Sequence, residues 1–289
     1  MNKHFQLLAY GDLLWDTFED AKYIGGAPFN VAAHFAFLGG TSALISAVGK
    51  DALGDEALST VKSYDVATDY IERNGHSTAQ MRVTIQNGEP QYALSEDCAF
   101  DYTLGGDGSF SADVFYFCSI SLRCSTSEAT LLRLLNNNRF STVFCDLNLR
   151  PASLSDKIVR TCLSNATILK LNREEVFYLQ RFGFTEKATP EEVAKDIVKK
   201  YKKIKTVLIT LDSDGSILYD AETESIERQK ALPCKIVSTI GAGDAFSAAF
   251  IYSTLQGKEV SACLQAAAEN AAFTLGYENA VPLIRREEL

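Results

Sequence analysis

Histidine is scarce in this chain, with three in 289 residues, and none of its seven cysteines is spaced Cys-x-x-Cys. A His/Cys metal cluster is therefore excluded, and His34, inside an apolar segment, reads as a packed side chain rather than a ligand. The cysteines are odd in number with mostly apolar neighbours, as expected of buried hydrophobes in a reducing compartment. No apolar run approaches the roughly 18 to 20 residues that span a bilayer. The segment Met1–Asp12 meets an acidic residue before a signal-peptide core could be completed, so a soluble, cytoplasmic protein is expected. Basic residues are in deficit: 28 Lys+Arg against 37 Asp+Glu give a formal charge of −9. That excludes a protein that works by holding nucleic-acid backbones on a basic surface. Internal repeats, low-complexity tracts and flexible linkers are also missing.

What is present is an ordinary globular composition, 46% hydrophobic and 22% charged, able to bury a core. Short β-type runs recur at Phe5–Tyr10, Ser42–Val48, Val114–Ser119, Thr142–Leu147, Thr167–Leu171 and Thr206–Leu211. Helical periodicity lies between most of them, which predicts an α/β fold, doubly wound, with a mostly parallel sheet flanked by helices. The clearest helix runs from Pro190 to about Tyr201. Thr189 serves as N-cap, Glu192 completes a capping box, and Lys199, Lys200, Lys202 and Lys203 gather at its negative end as a solvated face. Two stretches break the alternation. Residues 13–24 mix Trp15, Phe18 and Tyr23 with acids, and residues 78–103 read as a hairpin, Gln80–Gln86 and Gln91–Leu94 around the turn Asn87–Pro90. Together they predict a small β-sheet lid on a single domain spanning 1–289. Arg82 or an aromatic such as Tyr92, Phe100 or Tyr102 would lie near a substrate, and the lid's exposed edges would allow a homodimer.

The strongest local signal is Ser238-Thr-Ile-Gly-Ala-Gly-Asp244, opening an Ala/Phe-rich helix. Its glycines allow a tight turn that aims free N–H groups and the helix dipole at one spot, where an anion belongs. Asp244, in the first helical turn, could accept a proton from an attacking hydroxyl or merely stabilise a helix start. A second signal is Gly25-Gly-Ala-Pro-Phe-Asn30, where paired glycines let a ligand approach the backbone and Asn30 offers a donor and an acceptor. Gly11-Asp-Leu-Leu-Trp-Asp16 adds two carboxylates suited to vicinal hydroxyls. Ligands of open parallel sheets bind off the carboxyl ends of strands, where Asp12, Asp16, Asp146, Asn148 and Arg150 would fall.

These blocks resemble the ribokinase-like (PfkB) family of carbohydrate kinases, and within it the bacterial fructokinases. Gly25–Asn30 with Val48-Gly-Lys-Asp-Ala-Leu-Gly54 is similar to the family's N-terminal signature, and Thr239–Asp244 to its C-terminal one. Ala99-Phe-Asp101, Ser119–Arg123, Asp146–Pro151 and Lys170-Leu-Asn-Arg-Glu-Glu175 follow the fructokinase order and spacing, nearly end to end. The resemblance implies transfer of the γ-phosphate of ATP to a sugar hydroxyl with Mg²⁺, most simply fructose to fructose 6-phosphate. Another small sugar or a nucleoside, or a non-catalytic sugar-binding relative, are the alternatives. Carried over by position, Asp244 is the base, with Gly241, Ala242 and Gly243 forming the anion hole. Asp16, Asp12, Gly26, Asn30 and Arg150 hold the sugar, and Asn172, Thr210, Gly215 and Asn270 the nucleotide. Glu175 meets Mg²⁺ through water. With an unperturbed pKa near ~3.9, Asp244 would orient the hydroxyl and take its proton late.

Two departures stand out. Ser238 replaces the family's usual acid, which argues against potassium activation. Asp212 replaces the first glycine of the nucleotide loop Thr210-Leu-Asp-Ser-Asp-Gly215, which would weaken ATP binding unless its carboxylate turns outward or faces a metal.

Overall fold

Alternating burial along the first strand shows how the core is divided. In the computed structural model, which describes residues 4–86, 89–106 and 109–283, β1 (His4–Tyr10) sends Leu7 and Ala9 to one sheet face and Leu8 and Tyr10 to the other. All four are fully buried, as expected of a strand covered on both sides. The large sheet has nine strands. Beside β1 lie β4 (Ser42–Gly49) and then β5 (Ile71–Asn74) on one side, and β8 (Ser111–Cys118), β9 (Thr142–Asp146), β10 (Ile168–Asn172) and β11 (Thr206–Thr210) on the other, all parallel. Two antiparallel strands, β12 (Ser216–Asp220) and β13 (Ser225–Gln229), close that edge.

Helices cover both faces. α1 (Ala27–Phe37), α2 (Ala52–Ser63), α7 (Ala242–Leu255) and α8 (Val260–Thr274) pack on the Leu7 face. On the Leu8 face lie α3 (Ser125–Asn137), α4 (Asp156–Asn165), α5 (Arg173–Arg181) and α6 (Pro190–Lys200). The six strands read from the sequence are all present, within a few residues of the expected bounds. The helix from Pro190 carries its capping box, Thr189 Oγ1 accepting from Glu192 N at 3.3 Å. β5, β12 and β13 were not anticipated. Ser225-Ile-Glu-Arg-Gln229 is a polar edge strand without a hydrophobic alternation to betray it.

A separate four-stranded sheet is formed by β2 (Leu14–Thr17), β3 (Lys22–Gly25), β6 (Ala79–Gln86) and β7 (Glu89–Leu94), in the order β3-β2-β6-β7. The two expected stretches thus meet through a parallel pairing of β2 with β6, Asp16 opposite Met81. Residues 99–102 form a 3-10 turn below this sheet rather than part of it, and the turn at Asn87-Gly88 lies outside the described residues. Trp15 sits on β2, 4% exposed, its indole donating to Leu53 O at 3.1 Å with the Lys22 ammonium over its ring. Arg123 clamps the base of the small sheet to the main body. It makes a two-pronged contact with Asp101 at 2.6 and 2.7 Å and donates to Ser95 O at 2.8 Å.

The chain leaves β1 toward β4 on one side and β8 toward β9 on the other, so the connections that follow the paired carboxyl ends of β1 and β8 diverge. That divergence leaves a crevice with Asp12 just past β1, Asp146 ending β9, Asn172 ending β10 and Thr210 ending β11.

Candidate active site

Gly241 caps α7 in a left-handed conformation, φ 79°, and a Cβ there would stand 2.5 Å from Ala280 O and 2.6 Å from its Cα. Only glycine makes this turn, which leaves the N–H groups of Ala242 and Gly243 at the helix's positive end. The loop before it is held without an acidic residue: Ser238 Oγ accepts from Ile240 N at 3.2 Å, and Val237 N donates to Leu275 O at 2.8 Å. α7 is buried almost all round, and Asn270 Nδ2 ties α8 to it by donating to Ala245 O at 2.8 Å. Asn270 is thus anchored between helices through one of its two amide hydrogens.

Asp244 follows in the first turn of α7. Asn30 Nδ2, from α1, donates to Asp244 Oδ2 at 2.8 Å, joining residues 214 apart in sequence. Asn30 Oδ1 is buried without a partner. Burial pushes the Asp244 carboxyl up to about 7, with Asn30 and the charges of Lys170 and Arg150 opposing and Asp146 reinforcing the rise. The expectation of an unperturbed carboxyl is therefore corrected: desolvation at the helix start raises Asp244 toward neutral pH.

On one side of Asp244 lie the two acids of the first βα connection. Asp12 is 3% exposed, accepts from Cys118 Sγ at 3.4 Å, and has its carboxyl raised by burial. Asp16, on β2, is raised to about 7 by burial and then by Asp12, with Arg150 pulling the other way. Arg150 is exposed, and its charge is felt by Asp12, Asp16 and Asp244 alike. Gly26, φ 108°, brings α1 onto the end of β1, since a Cβ would sit 2.3 Å from Asp12 O. Arg82 does not join this group. It neighbours Thr17 across the β2–β6 pair, so strand alternation places it on the sheet face opposite Asp16 and Met81, exposed. Phe100 is buried beneath the Arg123 guanidinium, and Tyr102 stacks on His76 at 3.7 Å. The Tyr92 side chain lies outside the described residues.

On the other side, Asn172 caps α5, its Oδ1 accepting from Glu175 N at 2.9 Å. Glu175 Oε2 accepts from Asn172 N and Oε1 from Leu149 N, both at 2.8 Å. Burial, then the Asp146 charge, raises Glu175 to about 7. Thr210 Oγ1 donates to Leu171 O at 3.4 Å. Gly215 serves the turn, φ 95°, because a Cβ would meet Gln229 O at 2.0 Å. The feared repulsion from Asp212 is answered by Arg173, which donates to Asp212 Oδ2 at 3.1 Å, Asp214 Oδ2 at 2.6 Å and Leu211 O at 2.7 Å. Sequence reasoning missed this arginine, and it missed the buried pair Lys170 Nζ–Asp146 Oδ2 at 2.7 Å. The signal was available: a lysine within Ile168–Leu171 of a buried parallel strand demands an anion.

His34 is neutral and structural, lowered to about 4 by burial and bonded to Ala280 O at 2.9 Å. Among the described residues no group of three His, Cys, Asp or Glu side chains could hold a metal ion by itself, and no helix is long and apolar enough to cross a membrane.

The sequence pattern of the pfkB family carbohydrate kinases matches residues 2–285. The chain is 26% identical to the ATP-dependent 6-phosphofructokinase of Thermoanaerobacterium thermosaccharolyticum, over 94% of this chain and 84% of that protein. It is 29% identical to the probable chloroplastic fructokinase-6 of Arabidopsis thaliana, over 92% and 73%. The fold matches the crystal structure of the fructokinase of Xylella fastidiosa with bound ATP at a TM-score of 0.82, with 22% identity over 98% and 96% of the two chains.

Proposed function

The chain belongs to the pfkB family of carbohydrate kinases, and from that premise we propose that it transfers the γ-phosphate of ATP to a hydroxyl of an unphosphorylated sugar, D-fructose first among candidates. The observation that carries this reading is the contact of Asn30 Nδ2 with Asp244 Oδ2 at the mouth of the Gly241–Gly243 turn. It sets a base beside an anion-binding helix terminus. Two further carboxyls, Asp12 and Asp16, lie on the acceptor side, where they suit hydroxyls and repel a second phosphate. The fructokinases of Arabidopsis and Xylella support fructose as the acceptor.

In this mechanism Asp12, Asp16 and Asn30 orient the sugar, and Arg150 moderates the charge between the acids. The sugar oxygen attacks the γ-phosphorus, the bond to the β,γ-bridging oxygen breaks, and ADP leaves. The hydroxyl proton passes to the free oxygen of Asp244, whose other oxygen is fixed by Asn30. The N–H groups of Ala242 and Gly243 hold charge on the phosphoryl oxygens. The donor set fits a hydrated Mg²⁺, because each Glu175 oxygen is fixed by one backbone N–H and keeps a second lone pair for a metal-bound water. When bound, the ion would neutralise phosphate charge beside Asn172 and Glu175. The small sheet would close over the sugar and exclude water that competes as acceptor, and its exposed edges would pair in a homodimer.

A coupled ADP-release assay with fructose, ribose, 2-keto-3-deoxygluconate, adenosine, inosine and fructose 6-phosphate tests the reading. Fructose should turn over fastest. Preference for a nucleoside or a sugar phosphate would replace the acceptor assignment, and no turnover with any of them would overturn the reading.

A further inference from the structure

Lys170 is the one lysine or arginine among the described residues that is buried, 4% exposed, and it lies on β10 among apolar neighbours. A buried ion pair is a poor way to gain stability. Desolvating both charges costs several kcal/mol, and well-packed apolar side chains of the same volume do as well or better. The Lys170–Asp146 pair, 2.7 Å long, therefore calls for a use of its positive charge. Around the ammonium stand Asp146, Glu175 and Asp244, three carboxyls to one cation, at the place where the helix terminus invites an anion.

Gly243 shows where that charge is directed. Unlike Gly241, it has no positive φ, so backbone conformation does not require a glycine here. Beyond its chain neighbours and the backbone of its own helix, a Cβ added to it would meet a single group within 4 Å, the Lys170 Nζ at 3.4 Å. The missing side chain thus leaves an open lane between the ammonium and the N–H groups of the anion hole. Any larger residue at 243 would cover the ammonium.

Resting on the kinase reading above, we infer that Lys170 is a catalytic residue: its ammonium reaches through the Gly243 gap to an oxygen of the transferring phosphoryl group. A γ-phosphoryl group passing from ADP to the sugar spreads charge over its three equatorial oxygens, and a fixed cation beside one of them acts most strongly at that moment. The Glu175 and Asp244 charges still face the ammonium when Asp146 is neutralised, and the Gly243 lane makes the contact short.

The test compares two variants that share a neutral partner and differ only in the ammonium, Asp146→Asn and Asp146→Asn with Lys170→Met. With the sugar that turns over fastest, the double variant should lose a further factor of about 10² in kcat, the cost of removing one preorganised donor, with KM for the sugar within about two-fold. Equal kcat in the two would make the pair structural and overturn the inference. Wild type must turn over in the same assay. Failure there removes the kinase reading itself, whereas wild-type turnover with equal variants removes only the role of Lys170. Should the double variant not fold, the wild-type protein crystallised with ADP, aluminium fluoride and that sugar decides. Lys170 Nζ within about 3.2 Å of a fluoride, a charge-assisted hydrogen bond, upholds the contact, and an ammonium still directed only at Asp146 refutes it.

Discussion

Lowering the pH from 8 to 5.5 should switch off phosphoryl transfer through Asp244. Burial holds its carboxyl at about 7, so about nine-tenths is ionised at pH 8, about a tenth at pH 6 and a few per cent at pH 5.5. If the ionised form is the base, kcat/KM for the sugar, which reports the free enzyme, falls about ten-fold from its plateau to pH 6 with a limiting slope of one. An aspartate at its ordinary pKa would stay ionised throughout and give a flat profile. Asp16 and Glu175 are raised to the same region, so kcat/KM is measured against pH in three proteins, with sugar and Mg·ATP below saturation. The limb should survive in Asp16→Asn and vanish in Asp244→Asn, whose kcat/KM is lower by at least about 10²-fold at pH 8, the gap narrowing as the wild type loses activity at lower pH. Asn30→Ala removes the hydrogen bond that favours the carboxylate and should move the limb to higher pH. A flat wild-type profile, or a limb that persists in Asp244→Asn, refutes the assignment of Asp244 as base.

Other perturbations have equally definite outcomes. Arg173→Ala leaves Asp212 and Asp214 uncompensated and should raise KM for ATP about two- to five-fold with kcat unchanged, as expected of one exposed pair. Adding Asp212→Gly should restore it, and steady-state kinetics at varied ATP checks both. Gly241→Ala forces a methyl onto Ala280, so thermal unfolding should show a loss of about 1–3 kcal/mol together with reduced kcat. Exchanging K⁺ for a bulky organic cation at constant ionic strength should change turnover less than about two-fold, because the loop before Asp244 is held by Ser238 and backbone bonds. Stability should also fall with rising pH. Asp16, Glu175 and Asp244 have folded pKa values above their unfolded ones, so the cost of their ionised forms grows from about pH 4 to about pH 7 and then levels off. Scanning calorimetry of the ligand-free protein at pH 5.5 and 8 should give the lower Tm at pH 8.

The sheet, the two interrupting stretches and the Gly241–Asp244 turn were legible because each rests on a local pattern: strand runs between helical periods, paired glycines before an apolar helix. Position-by-position reading went wrong where a partner distant in sequence decides. Asp212 looked repulsive until Arg173, on a different element, was seen beside it. Arg82 looked like a sugar contact until the parallel β2–β6 register put it on the far face from Asp16. Gly215 and Asn270, expected at the nucleotide, also have structural partners that no spacing reveals, the backbone of Gln229 and the carbonyl of Ala245. The raised carboxyl of Asp244 follows from desolvation, a property of the assembled fold that no spacing encodes.

The parallel pairing of Asp16 with Met81 brings together segments on either side of β4, α2 and β5, so the small sheet closes a long loop and should be assembled after the strands it straddles. The chain's single tryptophan, Trp15, sits in that sheet and takes its indole partner from α2. Its fluorescence therefore reports the docking of the small sheet onto the α1 and α2 face of the core, where Trp15 packs. In refolding from denaturant, far-ultraviolet circular dichroism should recover first and Trp15 emission later, with the ability to bind sugar returning alongside the emission. A natural optical probe thus separates the formation of the scaffold from the arrival of the Asp16 carboxylate, without any label being introduced.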